Sequence, residues 1–138
     1  MSKLNLSLPK ELCPDELLLR AVLPVDRMPS FWHEDGTLSS AALKIKNGLS
    51  VDRTYNRSLS EAIDFLLSHL SGHVVSISQD DCKEVNAFIE YSPTEEPPEN
   101  PFHCNIFGDS NKKSLNNRQA KILAGKAKLI YAAYVTTS

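Results

Sequence analysis

The chain has 138 residues, 41% of them apolar and 23% charged, with a formal net charge of -2. That length suits one domain with a real core, and the composition excludes disorder. The charge balance excludes a polycationic nucleic-acid binder, although a local basic face remains compatible with it. The opening residues hold one cation among Asn, Ser and Pro, so no signal peptide is expected. No run approaches the roughly 18 apolar residues of a membrane span, so no membrane partner is expected. Cys13, Cys82 and Cys104 are scattered and odd in number, with no CxxC pair. This usage fits a reducing cytoplasm and argues against a disulfide framework or a zinc site.

Residues 1–14 contain Pro9 and Pro14 and no sustained period, and read as an irregular arm. Residues 16–23, ELLLRAVL, form an apolar run between prolines and suit a buried strand. Residues 24–37 are a loop in which Phe31, Trp32 and His33 sit together, as an apolar plug or as a stacking surface for a ring. Residues 39–46 read as a helical turn capped by Ser39, or as a strand. Asn47-Gly48 turns the chain into a strand carrying Leu49 and Val51.

Helix 58–70 has the clearest signature. Ser58 and Glu61 form a capping box, and Leu59, Ala62, Ile63, Leu66, Leu67 and Leu70 make one apolar stripe ended by Gly72. Residues 73–77 read as a strand, and Asp80 or Asp81 is placed to start a helical turn through Glu84. Residues 85–91 alternate as a strand, with Val85, Ala87, Ile89 and Tyr91 on one face. Residues 92–101 carry four prolines and three glutamates and read as an exposed loop. A short strand at 102–107 follows, then a second helix capped by Ser114. The tail 129–135 fits either an extension of that helix or a final strand. The expected fold is a single α+β domain over residues 1–138. Four or five short, mostly antiparallel strands would pack on two main helices.

Lys44, Lys46, Asp52, Arg53 and Arg57 stand near the start of helix 58–70 among Ser39, Ser40, Ser50, Thr54 and Tyr55. Free N–H groups at a helix start and arginine forks together suit a phosphate. The alternative is a solvated loop with Asp52 paired to Arg53 or Lys46. No Gly-rich phosphate loop is present. His103 follows the proline-rich loop, where a histidine is placed to act as general acid or base. Cys104 beside it points to the opposite face and reads as a core residue. The four histidines lack metal-ligand spacing, so no metal is expected, and no cofactor motif is found.

Charge is uneven. Seven acids and one lysine lie between Asp80 and Glu99, and six cations with no acid lie between Lys112 and Lys128. Lys113, Arg118, Lys121 and Lys128 would form a basic strip for docking on a protein partner, or a solvated face. Arg20 on an early strand, Ser39-Ser40 after it and Glu90 further on resemble, in order alone, small ADP-ribosyltransferase-like domains. Those place an arginine or histidine, then hydroxyls, then a late glutamate, and the resemblance implies a transferase.

The expected function is a small interaction or ligand-binding protein. Its ligand would carry phosphate, as a nucleotide or nucleic acid does, and bind at the basic turn before residue 58. The alternatives are a non-catalytic accessory subunit docking on a larger protein, or a small enzyme. The enzyme would be a metal-independent ribonuclease using His103 or the transferase just described.

Overall fold

A computed structural model describes residues 8–23 and 31–133. The reading of the arm before Leu8, of the loop at 24–30 and of the tail beyond Ala133 lies outside the described residues. The elements follow in order: β1 (Leu17–Val22), a 3-10 turn (Ser40–Ala42), β2 (Leu49–Arg53), α1 (Leu59–Leu67) and β3 (His73–Ser78). Then come α2 (Gln79–Glu84), β4 (Phe88–Tyr91), β5 (His103–Phe107), α3 (Asn117–Lys126) and β6 (Lys128–Tyr131). The strands form one antiparallel sheet in the order β4-β5-β2-β1-β3-β6. The protein is thus a mixed α+β domain with six strands, one more than the upper expectation. The extra strand is β6, where the tail leaves α3: Ala127 turns extended (φ -62, ψ 142), and Lys128 pairs with Ser76.

Local chemistry sets most boundaries. Ser58 accepts from Glu61 N–H while the Glu61 carboxylate accepts from Ser58 N–H, so the α1 capping box is complete. The α2 turn is capped by Ser78 rather than by Asp80 or Asp81. Those acids instead occupy its first turn, beside the positive end of the helix dipole. Likewise Asn116, not Ser114, caps α3, through a reciprocal box with Gln119. The strand expected from Val85 begins only at Phe88, because Asn86 adopts a left-handed φ of 58°. Gly72 has φ +128°, and a Cβ there would lie 2.4 Å from the Val22 carbonyl oxygen, so the chain can turn into β3 only with glycine.

The two faces of the sheet are covered unequally. Leu18, Val22, Leu49, Val51, Cys104 and Ile106 point to one face. There they pack with α2, α3, the 3-10 turn and Trp32 in the main core. Trp32 is the plug of its loop: it is buried, its indole N–H donates to the Leu23 carbonyl (2.7 Å), and its ring meets His73 edge-on. On the opposite face α1 lays Ala62, Ile63 and Leu66 on Leu19 and Val74. It lies over β1 and Val74 of β3 and reaches β2, but not β4 or β5. The remaining strands show Ser50, Asp52, His103 and Asn105 on this side by strand alternation.

One buried ion pair ties these parts together. The Arg53 side chain is fully buried at the end of β2. Its Nε and Nη2 donate to the two carboxylate oxygens of Glu16 (2.8 and 2.7 Å), and its other bonds reach the Pro9 and Glu11 carbonyls. The guanidinium stacks against Tyr55 and Tyr91. Glu16 also accepts from the Cys13 and Tyr55 amides. Burial alone would raise the Glu16 pKa. The Arg53 hydrogen bonds, that cation's charge and the amides outweigh burial and hold the carboxyl below its ordinary 4.5.

Removing one partner leaves a bare buried charge, so Arg53→Ala or Glu16→Ala should cost about 3–5 kcal/mol in urea unfolding at neutral pH. Because the Glu16 pKa is depressed on folding, its contribution is present above about pH 4.5 and fades as pH falls through the folded value. Arg53→Met with Glu16→Leu should therefore flatten the acid limb of the stability profile. An unchanged limb would contradict this assignment.

Candidate functional site

The uncovered half of the sheet becomes a cleft of about 170 Å³. Its floor is β1, β2 and β5, one wall is the end of α1, and the other is the 92–101 loop. Asp52 lies on β2 directly across the ladder from His103 on β5, so both side chains share this face. Asp52 is 2% exposed. Its Oδ1 accepts from the Asn100 side-chain amide at 2.8 Å, while its buried Oδ2 has no hydrogen-bond partner. Burial raises the Asp52 pKa above its ordinary 3.8. The Asn100 bond and the charges of Arg57, His103 and His69 oppose the rise without cancelling it.

The surrounding groups are held by their own neighbours. Asn100 Oδ1 accepts from the Phe102 amide, which fixes its NH₂ toward Asp52. His103 Nδ1 lies 2.8 Å from the Ser92 carbonyl. A carbonyl only accepts, so Nδ1 carries a proton there, and in the neutral ring Nε2 is the acceptor. At His69 the Ser68 hydroxyl already donates to the Phe65 carbonyl, so Ser68 Oγ accepts from His69 Nδ1–H. His69 thus has the same tautomer. The two strands β1 and β2 pair at only two positions, Leu18↔Arg53 and Leu19↔Asp52. Beyond them the Arg20 guanidinium donates to the Ser50 carbonyl at 3.0 Å, and its buried Nε has no partner.

The structure brings Arg20 and His103 into one cleft but not Arg53 and Arg57. Arg53 is committed to Glu16. Arg57 donates to the Arg53 and Thr54 carbonyls and stacks 3.4 Å from the Phe102 ring centroid. Lys44 and Lys46 are exposed at the other end of β2, roughly 15 Å away by strand rise. The α1 start already holds the Glu61 carboxylate, which opposes a second anion. Those four cations therefore form no cluster. Asp52 pairs with neither Arg53 nor Lys46 among the described residues, because Arg53 follows it on the strand and points to the opposite face.

The transferase layout also fails to assemble. Glu90 lies on edge strand β4, roughly 14 Å of sheet from Arg20, and pairs with Lys112, while Ser39 caps the 3-10 turn. Lys113, Arg118, Lys121 and Lys128 are exposed, and none forms an ion pair among the described residues. Burial pushes the Cys82 and Cys104 thiols up to about 12, so neither is a thiolate nucleophile at neutral pH. No three described His, Cys, Asp or Glu side chains converge closely enough to hold a metal.

Sequence reasoning placed Asp52 among the cations as an ion-pair partner and missed Asn100 and His69 beside it. Two signals were present: a carboxyl on the polar face of an apolar strand, and an Asn before Pro, which favours a side-chain turn. The raised Asp52 pKa means that folding disfavours its ionised form. The penalty is absent below about pH 3.8 and grows as pH rises through the folded value. Asp52→Asn should therefore melt higher than wild type at pH 7, with the gap closing near pH 3, as read by circular dichroism. A lower melting point at pH 7 would refute this reading of Asp52. No family model, curated protein or solved structure matches the chain.

Proposed function

We propose that this protein binds a small polar molecule in the cleft between α1, the sheet and the 92–101 loop. The observation that supports this is Asp52: a carboxyl almost wholly buried, with one oxygen bonded to Asn100 and the other bare. Buried polar groups are normally satisfied, and the exceptions concentrate at functional sites. The cleft offers acceptors at Asp52, His69 and His103, and a donor at Arg20. A ligand suited to it presents hydrogen-bond donors to the floor. A nucleotide remains within the reading only with its hydroxyls on Asp52 and its phosphate toward Arg20.

A second reading is favoured by the two histidines. Both spend Nδ1 on the protein and keep Nε2 as acceptor, the arrangement of an acid–base pair. This is the form in which a metal-independent ribonuclease using His103 survives. Accessory docking through Lys113, Arg118, Lys121 and Lys128 would use the opposite face of the sheet, where α3 packs.

Amide correlation spectra with ribose 5-phosphate, adenosine monophosphate, glucose and short amines test the first reading. Shifts should centre on Asn100, Asp52 and His103, and weaken in Asp52→Asn. Shifts confined to α3 or to Lys44 and Lys46 would overturn it. For the second, His103→Ala should abolish RNA cleavage with the fold retained. An unchanged pH–rate profile would exclude it.

A further inference from the structure

We propose that the cleft takes a small organic cation, an alkylammonium, whose charged head meets Asp52 and whose chain lies along Leu66, Leu70 and Pro98. This rests on the cleft being a binding site. The two buried acids among the described residues make the contrast. Glu16 receives four donors, two of them from a cation. Asp52 is buried to the same degree and receives one neutral amide. Carboxylates at that depth are ordinarily paired with a cation.

The cations among the described residues do not supply the pairing. Arg20 donates to the Ser50 carbonyl, Arg57 is held by two carbonyls and the Phe102 ring, and neither forms an ion pair with Asp52. A neutral donor would satisfy Oδ2 but leave the charge uncompensated; an ammonium does both. The walls complete the match. Leu66 of α1, Leu70 in the turn after it and Pro98 of the loop line the cleft and give an apolar track leading to one carboxyl. The same loop exposes Glu95, Glu96 and Glu99, which attract cations to the mouth and repel anions. Oδ2 itself is enclosed, so entry needs a small outward shift of the loop that carries Asn100.

The groups facing Asp52 set the pH response. They are His103 from β5, His69 beyond α1 and Arg57 beyond β2, with Arg20 from β1 also in the cleft. The arginines stay charged throughout. As pH falls Asp52 loses its charge, which opposes a cation. Affinity should therefore rise with pH, with protons released on binding.

The test is titration of the full chain with n-butylammonium chloride, butanol and inorganic phosphate, by calorimetry and amide correlation spectra. Butylammonium should saturate with shifts at Asn100 and His103, tighten as pH rises, and weaken by about tenfold or more in Asp52→Asn. Equal binding of butanol, equal binding by Asp52→Asn, or saturation by phosphate alone would overturn the cation. If a neutral polyol or nucleotide binds through Asp52 while butylammonium does not, the cation fails and the binding site stands. If no probe shifts Asp52, Asn100 or His103, both fail.

Discussion

Arg53 reaches Glu16 through the layer of apolar side chains beneath the sheet, and much of the chain is fastened at that point. The pair joins the end of β2 to the start of β1, draws the irregular arm down through the Pro9 and Glu11 carbonyls, and stacks on Tyr91 of β4. Burying two charges is expensive, and only near-complete hydrogen bonding makes it tolerable. Here nearly every donor and acceptor is used. Arg57 extends the same fastening by donating to the Arg53 carbonyl and lying flat on Phe102, so the loop before α1 is fixed from both sides. The arginines that would suit a phosphate are thereby consumed by the architecture.

The same fastening explains the cleft. With β1, β2 and β5 held in register, the position of α1 is set by its apolar stripe, and Ala62, Ile63 and Leu66 find Leu19 and Val74. One nine-residue helix cannot cover six strands. The uncovered half carries polar side chains, and the 92–101 loop folds back as a second wall, anchored by Asn100 and by Ser92 on His103. The site is thus the part of one sheet face that the helix leaves open.

The two buried carboxyls, of which only Asp52 lies in the cleft, follow opposite electrostatics. Glu16 is over-satisfied and acidic; Asp52 is under-satisfied and less acidic. The first stabilises the fold and the second works against it. His69 and His103 stand beside the second with their tautomers fixed by local partners.

Much of the fold was legible because it rests on short-range rules. The capping box of α1, the Ala62, Ile63 and Leu66 part of its stripe and the strands around residues 17–22, 49–53 and 103–107 all follow from neighbours within a few residues, whereas the helix stops at Leu67, short of the expected residue 70, and leaves Leu59 and Leu70 exposed. Even where β4 started late, the face of Val85, Ala87, Ile89 and Tyr91 was right, because alternation is a property of the chain itself. Near misses such as Ser114 for Asn116 came from two adequate caps lying close together. The choice between helix and strand for β6 waited on the strand beside it. That Arg53 and Arg57 are held by Glu16 and by backbone carbonyls was not legible, for a different reason. Sequence determined that Asp52, Arg53 and Arg57 are charged and that neighbours on a strand diverge. Only the tertiary structure decided which of them met a partner. That depends on Glu16, Asn100 and His103, between 37 and 51 residues away along the chain, and on which face α1 covers. Burial and pairing are long-range quantities, and they alone turn a charged side chain into a strut or a site.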